Sequence, residues 1–133
     1  MNQIADILRT ARTVAVVGLS GKRFRPSFGV TEYMQRNGYR IIPVNPHESE
    51  ILGEHCYPDL DSVPGPVDIV DIFRRSEFVP EIVEAAIRKG ARAIWMQEGV
   101  IHEAAAKRAT DAGLVVIMDH CILKDHRRFA HAS

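Results

Sequence analysis

The chain has 133 residues, 46% of them hydrophobic, and this predicts a single domain over 1–133 with its own core. Its 17 basic and 17 acidic residues cancel, so the overall charge favours neither nucleic acid nor a membrane surface as a partner. No apolar run approaches the roughly 20 residues that span a bilayer, the first residues lack signal-peptide spacing, and two distant cysteines, Cys56 and Cys121, predict free thiols in the cytoplasm.

Five apolar runs predict buried strands, because they are rich in valine and isoleucine and mostly lack in/out alternation. In chain order they are 13–18, 40–45, 67–73, 91–97 and 114–119. Amphipathic stretches between them end at Gly38, Gly90 and Gly113, and the next strand follows each glycine within two residues. Further helices are predicted at about 2–11 and 120–129.

This alternation predicts an α/β fold: a Rossmann-like open parallel sheet of about five strands with helices on both faces. The stretch 46–66 is the exception, because turn-forming residues dominate it; we expect an irregular connection with one helical turn around 59–62. The strand order 3-2-1-4-5 is favoured, and the flavodoxin-like order 2-1-3-4-5 is the alternative.

Ligands of such sheets bind beyond the carboxyl ends of the strands. The favoured order places the loop 18–27 beside 96–100, with 45–48 and 73–76 on the other flank. Turn chemistry explains many polar residues in these loops, but it does not explain the basic residues gathered in two of them. These are Lys22, Arg23, Arg25, Arg74 and Arg75. Cations beside a helix N-terminus predict an anion site.

Several familiar motifs are not met. The dinucleotide fingerprint G-x-G-x-x-G reads Gly18, Ser20 and Arg23, and no acidic residue ends strand 2, so NAD is not predicted. In the G-x-S-x-G elbow the second glycine comes one residue early, so Ser20 is interpreted as a phosphate ligand or helix cap. No P-loop motif occurs, and the His-Cys pairs at 55–56 and 120–121 lack converging ligands, so no metal site is predicted.

Six motifs in chain order resemble the small stand-alone CoA-binding proteins, which are related to the CoA-binding N-terminal domain of the succinyl-CoA synthetase α subunit. The motifs are VAVVGLS, RPS, VNP, VDIVDIFR, MQEG and DHC, within about residues 4 to 129. The resemblance implies a Rossmann-like domain that binds coenzyme A or an acyl-CoA. The cofactor-binding residues that it implies are Gly18, Ser20, Gly21, Lys22, Arg23, Arg25, Pro26, Ser27, Val44, Asn45, Pro46, Phe73, Arg74, Met96, Gln97, Glu98 and Gly99.

The chemistry of these loops suits coenzyme A. Backbone amides at a helix N-terminus, with Ser20, can take the pyrophosphate, and the third phosphate needs further cations, preferably arginine. Pantetheine would then run toward 96–99 and Cys121.

The chain also departs from the synthetase domain. His47 and Glu48 occupy the region where a lysine follows the proline of the strand 2 loop, and His120 stands where relatives often have arginine. The catalytic phosphohistidine of the synthetase lies in a second domain that the resemblance does not cover. The resemblance therefore implies a ligand without chemistry.

The leading prediction is a non-catalytic CoA-binding module, and no catalytic residue is assigned. One alternative is a small acyl-CoA- or nucleotide-using enzyme with His120, Glu98 or Asp119 as acid or base. Another is an interaction domain that has lost its ligand. A protein partner and the oligomeric state are left open.

Overall fold

The computed structural model describes residues 2–130. Its main-sheet strands are β1 (Thr13–Val17), β2 (Arg40–Val44), β5 (Ile69–Ile72), β6 (Ala93–Met96) and β7 (Val115–Ile117), and a small hairpin is formed by β3 (Glu50–Ile51) and β4 (Glu54–His55). The helices are α1 (Gln3–Thr10), α2 (Pro26–Arg36), α3 (Val79–Lys89), α4 (Glu103–Asp111) and α5 (Ile122–Asp125), which continues as a π-helical turn, His126–Ala130. None of these helices is long and apolar enough to cross a membrane.

The five main strands form a parallel sheet in the order β2-β1-β5-β6-β7. The predicted fold class, an open Rossmann-like parallel sheet of five strands with helices on both faces, is confirmed. The favoured strand order is wrong: counted along the chain, the observed order is the alternative, 2-1-3-4-5. As a result β5, and not β6, lies directly beside β1.

The connection between β2 and β5 explains this order. Parallel crossovers are right-handed almost without exception. Helix α2 covers one face of the sheet, whereas Leu60 and Val63 of the connection pack on the opposite face with α3. A right-handed crossover on the opposite face runs in the opposite direction along the sheet. The chain therefore passes back across β1 and adds β5 on its far side.

Both faces of the sheet are buried, which is why the strands lack alternation. On one face Ala15 and Val17 of β1 pack with α3 and α4. On the other face Val14 and Val16 pack with α1, α2 and Ile122 of α5. The helices therefore cover the two faces of the sheet and leave the ends of its strands uncovered.

The irregular connection 46–66 has the predicted helical turn, at Leu60–Ser62, where the Asp59 carboxylate accepts a hydrogen bond from the Ser62 amide at 2.8 Å. It also has the β3–β4 hairpin, which was not predicted. The hairpin turns at Leu52 and Gly53, with φ of +54° and +77°. Leucine is an unusual residue for a left-handed turn position, so the sequence lacks the usual Asn-Gly or Asp-Gly signal.

The three predicted helix–glycine–strand junctions are confirmed. Gly38, Gly90 and Gly113 have φ of +95°, +71° and +93°, the left-handed conformation that ends a helix. At the other end of the chain, the Asn2 side chain caps α1 by accepting hydrogen bonds from the Ile4 and Ala5 amides.

Candidate functional site

A cleft of about 890 Å³ lies at the carboxyl ends of β1, β2, β5 and β6. This position is the switch point of a 2-1-3-4-5 sheet, where the chain leaving β1 and the chain leaving β5 pass to opposite faces of the sheet. Twelve of the predicted site residues line it: Gly18, Ser20, Lys22, Arg25, Pro26, Ser27, Asn45, Phe73, Arg74, Gln97, Glu98 and Gly99.

The loop 18–25 forms one wall of the cleft and leads into α2. Helix α2 starts at Pro26 without a side-chain cap, and Pro26, Ser27 and Val30 at its start line the cleft. Within the loop the Ser20 amide donates to Ser27 Oγ at 3.0 Å, and the Lys22 amide donates to Ser20 Oγ at 3.1 Å. Serine hydroxyls therefore shape the loop.

The order of the strands corrects one expected juxtaposition. The loop 18–27 lies beside the loop that follows β5. The two loops are so close that a Cβ on Gly18 would come within 2.6 Å of the Phe73 carbonyl oxygen. The loop after β6 reaches the same cleft from one strand further away, through Gln97–Val100. Asn45 links the remaining loop, since its Nδ2 donates to the Leu19 carbonyl at 2.9 Å.

Four basic side chains line the cleft: Lys22, Arg25, Arg74 and Arg75. None of them forms an ion pair within residues 2–130. The Arg74 guanidinium lies 4.2 Å from the centroid of the Phe78 ring, which orients it without neutralising it. An anion entering the cleft would thus meet four cations that form no ion pair within residues 2–130, although the Glu48 carboxylate lines the same cleft.

Five of the predicted site residues do not line this cleft. Arg23 lies over the Phe28 ring instead, and Met96 is fully buried in the core beneath α3 and α4. Val44 and Pro46 line a second cleft, described below. Gly21 contributes its amide, which donates to the Glu48 carboxylate at 2.9 Å.

The second cleft, of about 570 Å³, lies on the α3 side of the sheet. It shares Gly18, Asn45, His47 and Arg74 with the first, so the two clefts meet at the end of β1. Its wall includes apolar side chains from β1, the 60–62 turn and α3. These are Val17, Leu60, Ile82 and Ala85.

The loop after β6 is tied to the C-terminal segment. The Ile122 amide donates to buried Gln97 Oε1 at 3.1 Å, and the Gly99 amide donates to the Asp119 carboxylate at 2.7 Å. Lys124 pairs with Glu98 at 3.0 Å. Two of the three alternative acid/base residues, Glu98 and Asp119, therefore serve as loop contacts.

His120, the third of them, has a partner that the sequence reasoning missed: its Nδ1 lies 2.8 Å from the Asp125 carboxylate. The signal was weak, because the two residues meet only through the turn that starts α5. His120 lies outside both clefts, in a depression with Asn2 and Ile4. No three His, Cys, Asp or Glu side chains of the described part of the chain converge to hold a metal ion.

Six further residues line the first cleft without having been named as cofactor-binding residues: Val30, His47, Glu48, Arg75, Val100 and Cys121. Arg75, His47 and Glu48 were visible as polar residues of the correct loops. Cys121 follows the last strand of the sheet, and the sequence analysis expected pantetheine to run toward it although it was not named as a cofactor-binding residue.

A family model described as a CoA binding domain matches residues 12–127. The chain belongs to the CoA-binding domain family. The predicted resemblance is thereby confirmed. Among the relatives of this domain, Bacillus subtilis YneT, described as an uncharacterized protein, is 42% identical over 124 residues, which cover 93% of this chain and 92% of YneT.

The chain is also similar to a solved structure and to part of a larger enzyme. A solved structure of a hypothetical protein from Pyrococcus horikoshii superposes with a TM-score of 0.92 at 36% identity, over 95% of this chain and 89% of that one. The ADP-forming acetate–CoA ligase II of Archaeoglobus fulgidus is 34% identical over 83 residues, which cover 61% of this chain and 12% of the ligase. The similarity therefore spans only a small part of the ligase.

Proposed function

We propose that residues 1–133 act as one non-catalytic module that binds coenzyme A or an acyl-CoA at the carboxyl ends of the strands. The observation that supports this most directly is a cleft with four basic side chains that form no ion pair with any other described residue, in a chain that belongs to the CoA-binding domain family. Coenzyme A carries three phosphates, and a cleft with four basic side chains against two carboxylates, Glu48 and Glu98, suits such a ligand.

The two clefts suggest how the ligand is arranged. The pyrophosphate lies at loop 18–25 and the first turn of α2, where Lys22 and Arg25 line the cleft. The adenosine occupies the smaller cleft with its apolar wall, and Arg74, which lines both clefts, contacts phosphate between them. Pantetheine runs along 97–100 toward Cys121.

The proposal assigns no catalytic step to this protein. The positions and contacts of the three alternative acid/base residues support this. Glu98 and Asp119 hold the loop after β6, and the His120–Asp125 pair lies outside both clefts. We further propose a cytoplasmic location, which the two free, buried cysteines support.

Isothermal titration with CoA, dephospho-CoA and NADH tests the proposal. We expect binding of CoA, weaker binding of dephospho-CoA, because it lacks the third phosphate, and no binding of NADH. A folded protein that gives no heat with CoA or acetyl-CoA would overturn the proposal and favour an interaction domain that has lost its ligand.

Two single substitutions test the basic wall of the cleft. Lys22→Ala and Arg25→Ala are each expected to weaken CoA binding by about 1.5–3 kcal/mol, the range for a hydrogen bond to a charged group. Folding should hardly change, because both side chains are exposed. Arg36→Ala is the matched control, since Arg36 is an exposed arginine at the far end of α2. Equal affinities in all three variants would contradict the assignment.

The two cysteines provide a second test. Cys121 lines the cleft, whereas Cys56 does not. Burial raises the pKa of the Cys56 thiol, and the charge of Glu48 adds to this effect. We expect iodoacetamide to modify Cys121 first, and saturating CoA to slow that reaction several-fold. Mass spectrometry after timed labelling measures both sites. Protection of neither cysteine by bound CoA would argue against pantetheine lying beside Cys121.

A further inference from the structure

Three consecutive amides of the loop 18–25 each donate to a side-chain oxygen. The Ser20 amide donates to the neutral hydroxyl of Ser27 in α2, and the Lys22 amide donates to the neutral hydroxyl of Ser20 in the loop itself. The Gly21 amide instead donates to the Glu48 carboxylate at 2.9 Å, across 27 residues of sequence. A negatively charged oxygen is therefore already bound at the centre of the loop.

The Glu48 side chain lies inside the cleft and close to this loop. It lines the cleft together with Lys22, Arg25 and Arg74. It forms no ion pair within residues 2–130, so the Gly21 amide is its hydrogen-bond partner there. A Cβ on Gly21 would lie 2.8 Å from Glu48 Oε2, so glycine permits this close approach.

We propose that the Glu48 carboxylate limits the affinity of the cleft by competing with ligand phosphate for the Gly21 amide. This inference rests on the proposed CoA site. A phosphate oxygen at this amide must displace the carboxylate, and a carboxylate that stays nearby repels the ligand. Glu48 thus weakens the binding of polyphosphorylated ligands that the basic side chains would otherwise bind more tightly.

Glu48→Gln separates charge from shape. The glutamine keeps the size of the side chain and an oxygen that can accept from the Gly21 amide, but it removes the negative charge. We expect this variant to bind CoA about tenfold more tightly at low salt, because a like charge near the phosphates has been removed. Glu48→Ala should shift the affinity in the same direction, since it also removes the competing acceptor.

Glu50→Gln is the matched control, because Glu50 belongs to the same connection but does not line the cleft. It removes the same charge from the protein and should change the affinity less than about twofold, as expected for an exposed and screened charge. Titrations at about 0.05 M and 0.5 M salt provide a further readout. The gain in Glu48→Gln should shrink at high salt if charge is its cause.

The outcomes are distinguishable. An affinity of Glu48→Gln equal to or weaker than that of the unmodified protein would overturn the role of Glu48 and leave the CoA site intact. A gain that does not depend on salt would also overturn it, because loop ordering and not charge would then be the cause. If thermal unfolding shows both proteins folded and neither binds CoA, the proposed function fails, and this inference fails with it.

Discussion

Replacing Gly18 with alanine is expected to lower the free energy of unfolding by about 2–4 kcal/mol and to weaken CoA binding at least tenfold. Gly18 has φ of +89°, a conformation that costs an L-residue about 1–2 kcal/mol. Its Cβ would also lie 2.6 Å from the Phe73 carbonyl oxygen. That oxygen cannot simply move away, because the Phe73 amide donates to the Val17 carbonyl at 2.8 Å and continues the pairing of β1 with β5.

Gly38→Ala is the control that separates strain from overlap. Gly38 has φ of +95°, but nothing lies within 4 Å of a Cβ built on it. This variant should therefore lose only the conformational part, about 1–2 kcal/mol, and keep its affinity for CoA. Urea unfolding and CoA titration of both variants make the comparison. Similar losses of stability in Gly18→Ala and Gly38→Ala would contradict the prediction, because the overlap of the new Cβ with Phe73 would then add no cost.

The strands and the helix–glycine–strand junctions were predictable because their signals are local. A run such as 14–17 is apolar throughout, since both faces of the sheet are covered, and glycine is favoured where a helix ends in a left-handed residue. Each signal depends on neighbouring residues only. Each was therefore readable before the tertiary structure was known.

The strand order was not predictable in this way. It depends on which face of the sheet Leu60 and Val63 pack against. A few isolated apolar residues in a turn-rich segment have no periodicity that would predict this face. The β3–β4 hairpin was missed for a related reason. Its strands are too short for a period, and Leu52 occupies a turn position that asparagine or aspartate would have marked.

The candidate site shows the same division. The strand-end rule located the loops that form it, and twelve of the predicted residues line one cleft. Contacts between distant segments were invisible: Gly21 with Glu48 joins two loops that the sequence keeps 27 residues apart. Met96 was assigned through its motif, but the pleat of β6 turns its side chain into the core.

Replacing Asp71 with valine is expected to raise the free energy of unfolding at pH 7 by about 1–3 kcal/mol, the cost of a buried polar group without a partner. Asp71 lies in the middle of β5, between Val16 of β1 and Trp95 of β6. It is 1% exposed, and its Oδ1 has no hydrogen-bond partner among the residues that the structure describes. Burial therefore raises the pKa of this carboxyl well above its usual value.

The raised pKa fixes the sign of the pH dependence. The folded protein holds the Asp71 proton to a higher pH than the unfolded chain, whose aspartate ionises near pH 3.9. The stability that this proton provides is complete below about pH 4 and is lost as the pH rises through the folded pKa, by at most about 1.4 kcal/mol per pH unit. Valine removes this loss, so the advantage of the variant over the unmodified protein should widen with pH.

Urea unfolding between about pH 4.5 and 8 measures this difference, because the other titrating groups contribute equally to both proteins and cancel. Asp71→Asn is the isosteric control: it should remove the pH-dependent part and gain less than valine, since its amide remains without partners. CoA affinity should not change in either variant, because Asp71 lines neither cleft. A gap between valine and aspartate that stays constant with pH would contradict the raised pKa and leave packing as the only difference between the two side chains.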